Sequence, residues 1–240
     1  MSTPIPTKTR PILYLLPVPI VPEAWHTLSP EAIAVAQTCR HFYVENLRSA
    51  RRFLKGVFPE KVIDDCFFEE MLKDEPIRMQ LLRDWLRAGH KVAVVSEAGC
   101  PGVADPGALV VAEAHRLDAM VIPLVGPSSL LLALMASGMN GQAFAFNGYL
   151  PVKAPERGQK IRFYEQRAIK DGQTQLFIET PYRNNALLTD LLQQCQPSTR
   201  ICIAQNIGLP EALIQTKSAA DWKKNIPDLP KAPAVFLLGQ

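Results

Sequence analysis

Residues 92–95 of the chain, Val92-Ala93-Val94-Val95, form an unbroken apolar run bounded by Gly89 and Gly99. A valine-rich run without polar alternation predicts a strand covered on both faces, as in a parallel sheet. Ser96-Glu97-Ala98-Gly99-Cys100-Pro101-Gly102 follows, rich in residues that allow sharp turns and close backbone approach. Asp105-Pro106-Gly107 then leads into the apolar residues 108–114, read as a buried helix. Strand, glycine-rich loop and helix in that order place the loop at the carboxyl edge of a sheet, where open α/β folds bind ligands. A tight connection without a ligand fits the same pattern, since a lone glycine motif is a weak match.

The pattern repeats at residues 120–125, a strand, then Gly126-Pro127-Ser128-Ser129 and the apolar helix 130–136. Free N–H groups at such a helix start suit a carboxylate or phosphate. A simple helix cap by Ser128 or Ser129 suits it as well. Upstream, residues 12–16 and 41–45 read as strands. Ser29-Pro30-Glu31 opens a helix with a cap, a first-turn proline and an acid at the positive dipole end. Residues 47–55 form a short basic helix. Asp74-Glu75-Pro76 is expected to cap a helix with Ile77, Leu81, Leu82, Trp85 and Leu86 on one face. Residues 1–9 are polar and expected to fray.

The turn signals Asn140-Gly141, Asn147-Gly148 and Leu150-Pro151 mark a change of composition, which sets the expected boundary near 145, between domains 1–145 and 146–240. Beyond it, helices are expected at 156–170 and 184–195, the latter with leucine at 187, 188, 191 and 192. Strands are expected at 175–179, 200–204, 212–216 and 234–238. The expectation is two α/β domains, the first with a mostly parallel sheet and the second with a mixed one.

Composition narrows the function little. With 48% hydrophobic and 20% charged residues, the 240-residue chain has the profile of an ordinary soluble globular protein. A net charge of +3, from 26 basic and 23 acidic residues, is compatible with nucleic acid without demanding it. Five scattered cysteines without CxxC spacing argue against a disulfide framework or structural zinc, and fit a reducing cytoplasm. No secretory pattern or membrane span is read, since prolines at 11, 17, 19 and 22 break the first apolar run.

Phosphate-loop and nucleophile-elbow motifs are missing from the sequence, and its four histidines show no HExxH spacing, so a metal is not expected. Cys39 and His41 share one side of a strand, but two ligands do not make a site. Cys100 in the key loop reads as a small packing residue rather than a nucleophile, because no partner base is visible. Arg48, Arg51, Arg52 and Lys55 make either a solvated helix face or a nucleic-acid contact.

Taken together, five motifs resemble the class III S-adenosylmethionine-dependent methyltransferases, the tetrapyrrole methylase family. The resemblance is most specific to the ribosomal small-subunit RNA ribose-2′-O-methyltransferase I group. Tyr14-Leu15-Leu16-Pro17-Val18-Pro19-Ile20 is similar to the family's opening Y-(I/L)-V-P-x-P-I-G-N. Ser96-Glu97-Ala98-Gly99-Cys100-Pro101 with Asp105-Pro106-Gly107 matches S-D-A-G-T-P…D-P-G. Gly126-Pro127-Ser128-Ser129, Gly148-Tyr149-Leu150-Pro151 and the run from Phe177 through Glu179 to Arg183 match the remaining three.

The resemblance implies a homodimer with S-adenosylmethionine in a cleft between two α/β domains. It puts the methionine end near Pro17, Gly99, Cys100, Val103, Ser128 and Ser129, and the adenine side near Leu150, Ala204, Pro233 and Ala234. Glu45, Glu69 and Glu179 are candidate bases for a hydroxyl acceptor, with Arg183 as a phosphate or hydroxyl contact. Structural pairing of Glu179 with Arg183, or solvation of Glu69, would remove them from that role. Departures fall on the acceptor side: Val21-Pro22 stands for the family's Gly-Asn, Asn46 for its Asp, and Gln205-Asn206-Ile207-Gly208 for its Arg-Glu-Leu-Thr-Lys run. The C-terminal helical module of longer members is not expected here. Three functions stay open: methylation of ribosomal RNA, methylation of a small molecule such as a tetrapyrrole, and non-catalytic binding of S-adenosylmethionine.

Overall fold

The computed structural model describes residues 10–72 and 74–240, so the stretch 1–9 lies outside the described residues. Chain contacts separate two units, one ending at Pro127 and one running from Ser128 to Gln240.

The first unit is built on a five-stranded sheet of β1 (Ile12–Leu16), β2 (His41–Val44), β3 (Phe67–Glu70), β4 (Val92–Val95) and β5 (Met120–Pro123), ordered β3-β2-β4-β1-β5. Every pairing is parallel. Residues 92–95 therefore occupy the middle strand, and all four are 0% exposed. Alternation along β4 serves two cores. Ala93 and Val95 pack with residues of α1 (Pro30–Thr38) and α2 (Leu47–Val57), whereas Val92 and Val94 pack with α3 (Met79–Arg87) and α4 (Gly107–Arg116). Helices thus cover both faces, which is why the strand carries no polar residue.

The strand order fixes where a ligand can sit. From β1 the chain moves toward β2, and from β4 it moves the other way toward β5, although β1 and β4 are neighbours. Their outgoing connections leave on opposite faces, which makes their carboxyl ends the switch point at which open α/β sheets take ligands.

The second unit holds β6 (Phe144–Phe146), β7 (Thr174–Glu179), β8 (Arg200–Gln205), β9 (Leu213–Ser218) and β10 (Ala234–Gly239), ordered β6-β7-β10-β8-β9. Only β6 and β7 pair parallel; the other three pairings are antiparallel. The sheet is mixed, as expected. One face meets α6 (Ala154–Asp171), α7 (Asn184–Gln194) and α8 (Ala219–Lys224), around the leucines at 187, 188, 191 and 192. The other face meets α5 (Ser129–Ser137).

Three features depart from the sequence reading. The units divide at Pro127/Ser128 rather than near 145, because Ala133 and Leu134 of α5 pack on Leu176, Cys202, Ala204, Val235 and Leu237. Helix α3 starts at Met79 with Arg78 before it, and the expected cap 74–76 lies outside the helix. Arg78 is held outside the helix by Glu69 on its guanidinium and by the Tyr43 hydroxyl, which donates to its carbonyl at 2.7 Å. Finally, β3, β6 and α8 carry no signal read above: two are very short, and β3 hides behind two glutamates.

Candidate active site

Three loops converge at the carboxyl edge of the first unit's sheet. The chain after β1 is tied to the glycine-rich loop by a two-bond bridge: Val18 N–H donates to Gly99 O and Gly99 N–H to Val18 O, both at 2.9 Å. The loop after β5 closes on the same point. A Cβ at Gly126 would lie under 3.0 Å from the Pro17 ring, so only glycine lets the two backbones approach. The Cys100 thiol, its pKa raised by burial, reaches Pro127 O at 3.4 Å. Pro17, Gly99 and Cys100 are thus brought together, with Gly126 as a member of the group that the motif reading named but did not place in the site.

Gly99 sits at φ +72°, in the left-handed region. An added Cβ would meet only ordinary contacts, Pro127 O at 3.4 Å and Ile20 Cγ2 at 3.5 Å, so its backbone angle rather than crowding requires glycine. Beyond Cys100 the loop wraps around Asp105, whose carboxylate accepts from Gly102 N–H at 2.9 and 2.8 Å and from Gly107 N–H at 2.7 Å. Val103 stands on the outside of this turn, 49% exposed. Burial raises the Asp105 pKa against the lowering effect of those N–H groups.

Glu45, half-buried just after β2, leans on the same loop: its Oε2 accepts from Glu97 N–H at 2.8 Å. Its pKa is raised, first by burial and then by the nearby charges of Asp105 and Glu97, opposed by the Glu97 N–H. Its raised pKa makes Glu45 a better proton acceptor than an ordinary surface carboxylate. Three acids close together also suit a cationic ligand.

The other proposed bases are occupied. Glu69 is buried, not solvated, and its carboxylate is gripped by both Arg78 Nε, at 2.8 Å, and Nη2. Glu179 is 3% exposed and accepts from Thr180 N–H at 2.6 Å and from Arg183 Nη2 at 2.6 Å. Arg183 thereby turns its guanidinium inward, as the structural pairing alternative requires.

In the second unit, Ser128 is the residue before α5, with extended backbone and no side-chain cap bond. Ser128 thus holds the N-cap position through its backbone alone, and its hydroxyl makes no hydrogen bond among the described residues. Glu179, Ala234 and Gln205 lie side by side in register at one sheet edge, with Ala204 opposite Val235. Leu150, Ala204 and Ala234 point their side chains into the core, so they could meet a ligand only through backbone; Pro233 is exposed. The loop before Ala234 is clamped by two buried carboxamides. Asn184 Nδ2 donates to Ala232 O at 2.7 Å, and Gln205 Nε2 to Pro230 O at 2.7 Å and Ala232 O at 2.8 Å. Their Oδ1 and Oε1 have no partner among the described residues.

On α2, Arg48, Arg51, Arg52 and Lys55 are all exposed, at the i, i+3, i+4, i+7 spacing of one helix face. None is ion-paired among the described residues, and Arg51 lies 5.5 Å from the centre of the Phe68 ring. An open recess of about 350 Å³ lies against Asn46, Leu47, Arg48, Arg51 and Glu70. The Cys39–His41 pair gathers no further ligand: His41 stacks at 4.1 Å on His90 and at 5.0 Å on Phe67. Among the described residues no three His, Cys, Asp or Glu side chains are grouped as metal ligands, and no helix is long and apolar enough to cross a membrane.

Comparison with known proteins gives one consistent answer. Residues 15–221 match the family described as Tetrapyrrole (Corrin/Porphyrin) Methylases. The ribosomal RNA small subunit methyltransferase I of Vibrio cholerae is 30% identical over 219 residues, covering 88% of this chain and 73% of that protein. Its Synechocystis namesake is 32% identical over 180 residues, covering 75% of this chain and 61% of that protein. The chain thus spans about three fifths of the length of several relatives it matches. Among solved structures, the uroporphyrin-III C-methyltransferase of Thermus thermophilus complexed with S-adenyl homocysteine shares the fold, at a TM-score of 0.54 and 19% identity over 96% of this chain and 97% of that one. With the switch point, the pinned glycine loops and a match over most of its length, the chain belongs to the tetrapyrrole methylase family.

Proposed function

We propose that the chain is a cytoplasmic, homodimeric S-adenosylmethionine-dependent methyltransferase that methylates a ribose 2′-hydroxyl of small-subunit ribosomal RNA. The observation that carries the donor assignment is the pinning of Pro17, Gly99 and Gly126 at the switch point, beside Glu45, Glu97 and Asp105. The acids favour a cationic sulfonium there. Pro17, Gly99, Cys100, Val103, Ser128 and Ser129 are assigned to the methionine part, and Leu150, Ala204, Pro233 and Ala234, through backbone, to the adenine. The names of the relatives support RNA as acceptor over a tetrapyrrole, and the cations of α2, which form no ion pair among the described residues, suit its phosphates.

The sulfonium supplies an activated methyl group, so the protein's share is alignment, exclusion of water and handling of one proton. Glu45 would take the proton that the ribose hydroxyl gives up on methylation. Of the three candidate bases, only Glu45 lacks an arginine partner among the described residues. Glu179 and Arg183 are assigned instead to bracing the loop after β7.

Purified protein, tritiated S-adenosylmethionine and total extract from cells lacking this protein test the reading. Label is expected in the small-subunit ribosomal RNA. Label in the small-molecule fraction would replace RNA by a small acceptor, and binding without transfer would leave a non-catalytic binder. Light scattering is expected to give about 53 kDa, twice the chain's 26.6 kDa.

A further inference from the structure

The turn after β7 presents an aromatic ring to solvent on a rigid support. Tyr182 is 84% exposed, more than any other large apolar or aromatic side chain among the described residues. Its turn is closed by Arg183 N–H on Thr180 O at 3.0 Å and braced from beneath by the buried Glu179 carboxylate, which holds Thr180 N–H and Arg183 together. Lys231 places its ammonium over one face of the ring, 5.7 Å from the centre. Lys231 too is on a fixed loop, because Asn184 and Gln205 clamp the carbonyls on either side of it, those of Pro230 and Ala232. An exposed cation–ring contact is weak by itself, so it does not account for two loops anchored by buried polar side chains. Buried anchors of that kind preorganise groups for a ligand.

We propose that Tyr182 and Lys231 form a stacking contact for an unpaired nucleobase of the RNA acceptor. The free face of the ring takes the base, and the ammonium meets an adjoining phosphate. An aromatic face with a neighbouring cation is what single-stranded nucleic acid needs, since every base has a π-face and every nucleotide a charge. The inward turn of Arg183 leaves Lys231 as the cation beside the ring. The assignment rests on the ribosomal-RNA reading above and names which part of that acceptor is gripped, an unpaired segment rather than a duplex.

The test is fluorescence anisotropy with a labelled 12-nucleotide oligouridylate and with an RNA duplex of the same length, using the full chain. Wild type is expected to prefer the single strand. Tyr182→Ala should weaken that binding about 5- to 150-fold, while Tyr182→Phe, which keeps the ring, stays near wild type. Lys231→Ala should lower the slope of log affinity against log salt by about 0.7. S-adenosylhomocysteine affinity should stay the same in all three. If wild type binds the oligonucleotide and Tyr182→Ala binds it equally, the stacking contact is wrong and the RNA reading stands. If wild type binds neither RNA, both fall. Conversion of a dimer to a monomer by Tyr182→Ala would assign the ring to an interface between copies and overturn the proposal.

Discussion

Gly126→Ala probes the junction of the three loops with one methyl group. Carbon atoms in contact normally lie about 3.5–4.0 Å apart, and the added Cβ would start under 3.0 Å from Pro17 Cβ and Cγ. Pro17 must therefore retreat by about 1 Å to relieve the contact fully, and its ring has no rotamer that would carry it away. The retreat pulls on the adjacent bridge between Val18 and Gly99, whose two bonds are 2.9 Å long. If Pro17 moves by about 1 Å, both bonds pass beyond bonding distance at about 0.5–1.5 kcal/mol each. If it does not, the compressed contact costs about 1–3 kcal/mol. Either route predicts a loss of about 1–3 kcal/mol, or about 2–4 °C in melting temperature per kcal/mol for a chain of this size. A shift of 1 Å in the groups that align the donor should also cut methyl transfer by about 100-fold. Calorimetric titration with S-adenosylhomocysteine, thermal melting and turnover are measured on Gly126→Ala and on Gly141→Ala, where the new Cβ meets nothing within 4 Å. Gly141→Ala should change stability by no more than about 0.5 kcal/mol. Gly126→Ala matching wild type in all three measurements would refute the junction as the site.

Further outcomes follow from single groups. Glu45→Gln keeps an oxygen for Glu97 N–H but cannot take a proton, so turnover should fall about 10²- to 10⁴-fold while affinity for the neutral S-adenosylhomocysteine stays unchanged. The wild-type rate should fall as pH drops through the raised Glu45 pKa, above the ordinary carboxylate range; pH–rate profiles showing the same acid limb in Glu45→Gln would exclude that role. His41 has its pKa lowered from 6.5 to about 4, first by burial and then by His90. As pH falls below 6.5 the unfolded chain binds this proton and the folded one does not, so about 1–3 kcal/mol of stability should be lost by pH 4, allowing for solvent screening. Denaturant midpoints of His41→Phe should fall less over that range. Changing Arg48, Arg51 and Arg52 together to alanine should lower the salt slope of single-stranded RNA binding by about 2, while calorimetry shows donor affinity unchanged.

Local signals in the chain were enough for much of this architecture. The run 92–95 required a strand buried on both faces, because four apolar residues in succession cannot leave one side to water. The Ser29 cap, the leucine stripe of α7 and the basic face of α2 were legible for the same reason: each is a pattern within one or two turns of helix. Short elements were not. β3 reads Phe-Phe-Glu-Glu, and Glu69, the one buried residue of this edge strand, is tolerated there because Arg78 pairs with it, which no local pattern announces.

The boundary was equally hidden. Helix α5 is apolar almost all round, so its sequence fits either unit, and its contacts with β9 and β10 assign it to the second. Which acids are available for chemistry also had to wait for the fold. Glu45, Glu69 and Glu179 look alike in sequence, yet arginines nine and four residues away occupy two of them. Pro17 and Gly126, brought into contact by the β4-β1-β5 order, are 109 positions apart in the chain. Sequence alone determined the longer elements, since hydrophobic period and turn chemistry act over a few residues. Tertiary structure alone decided the site, since a close backbone approach or a neutralised charge depends on partners that only the folded chain brings together.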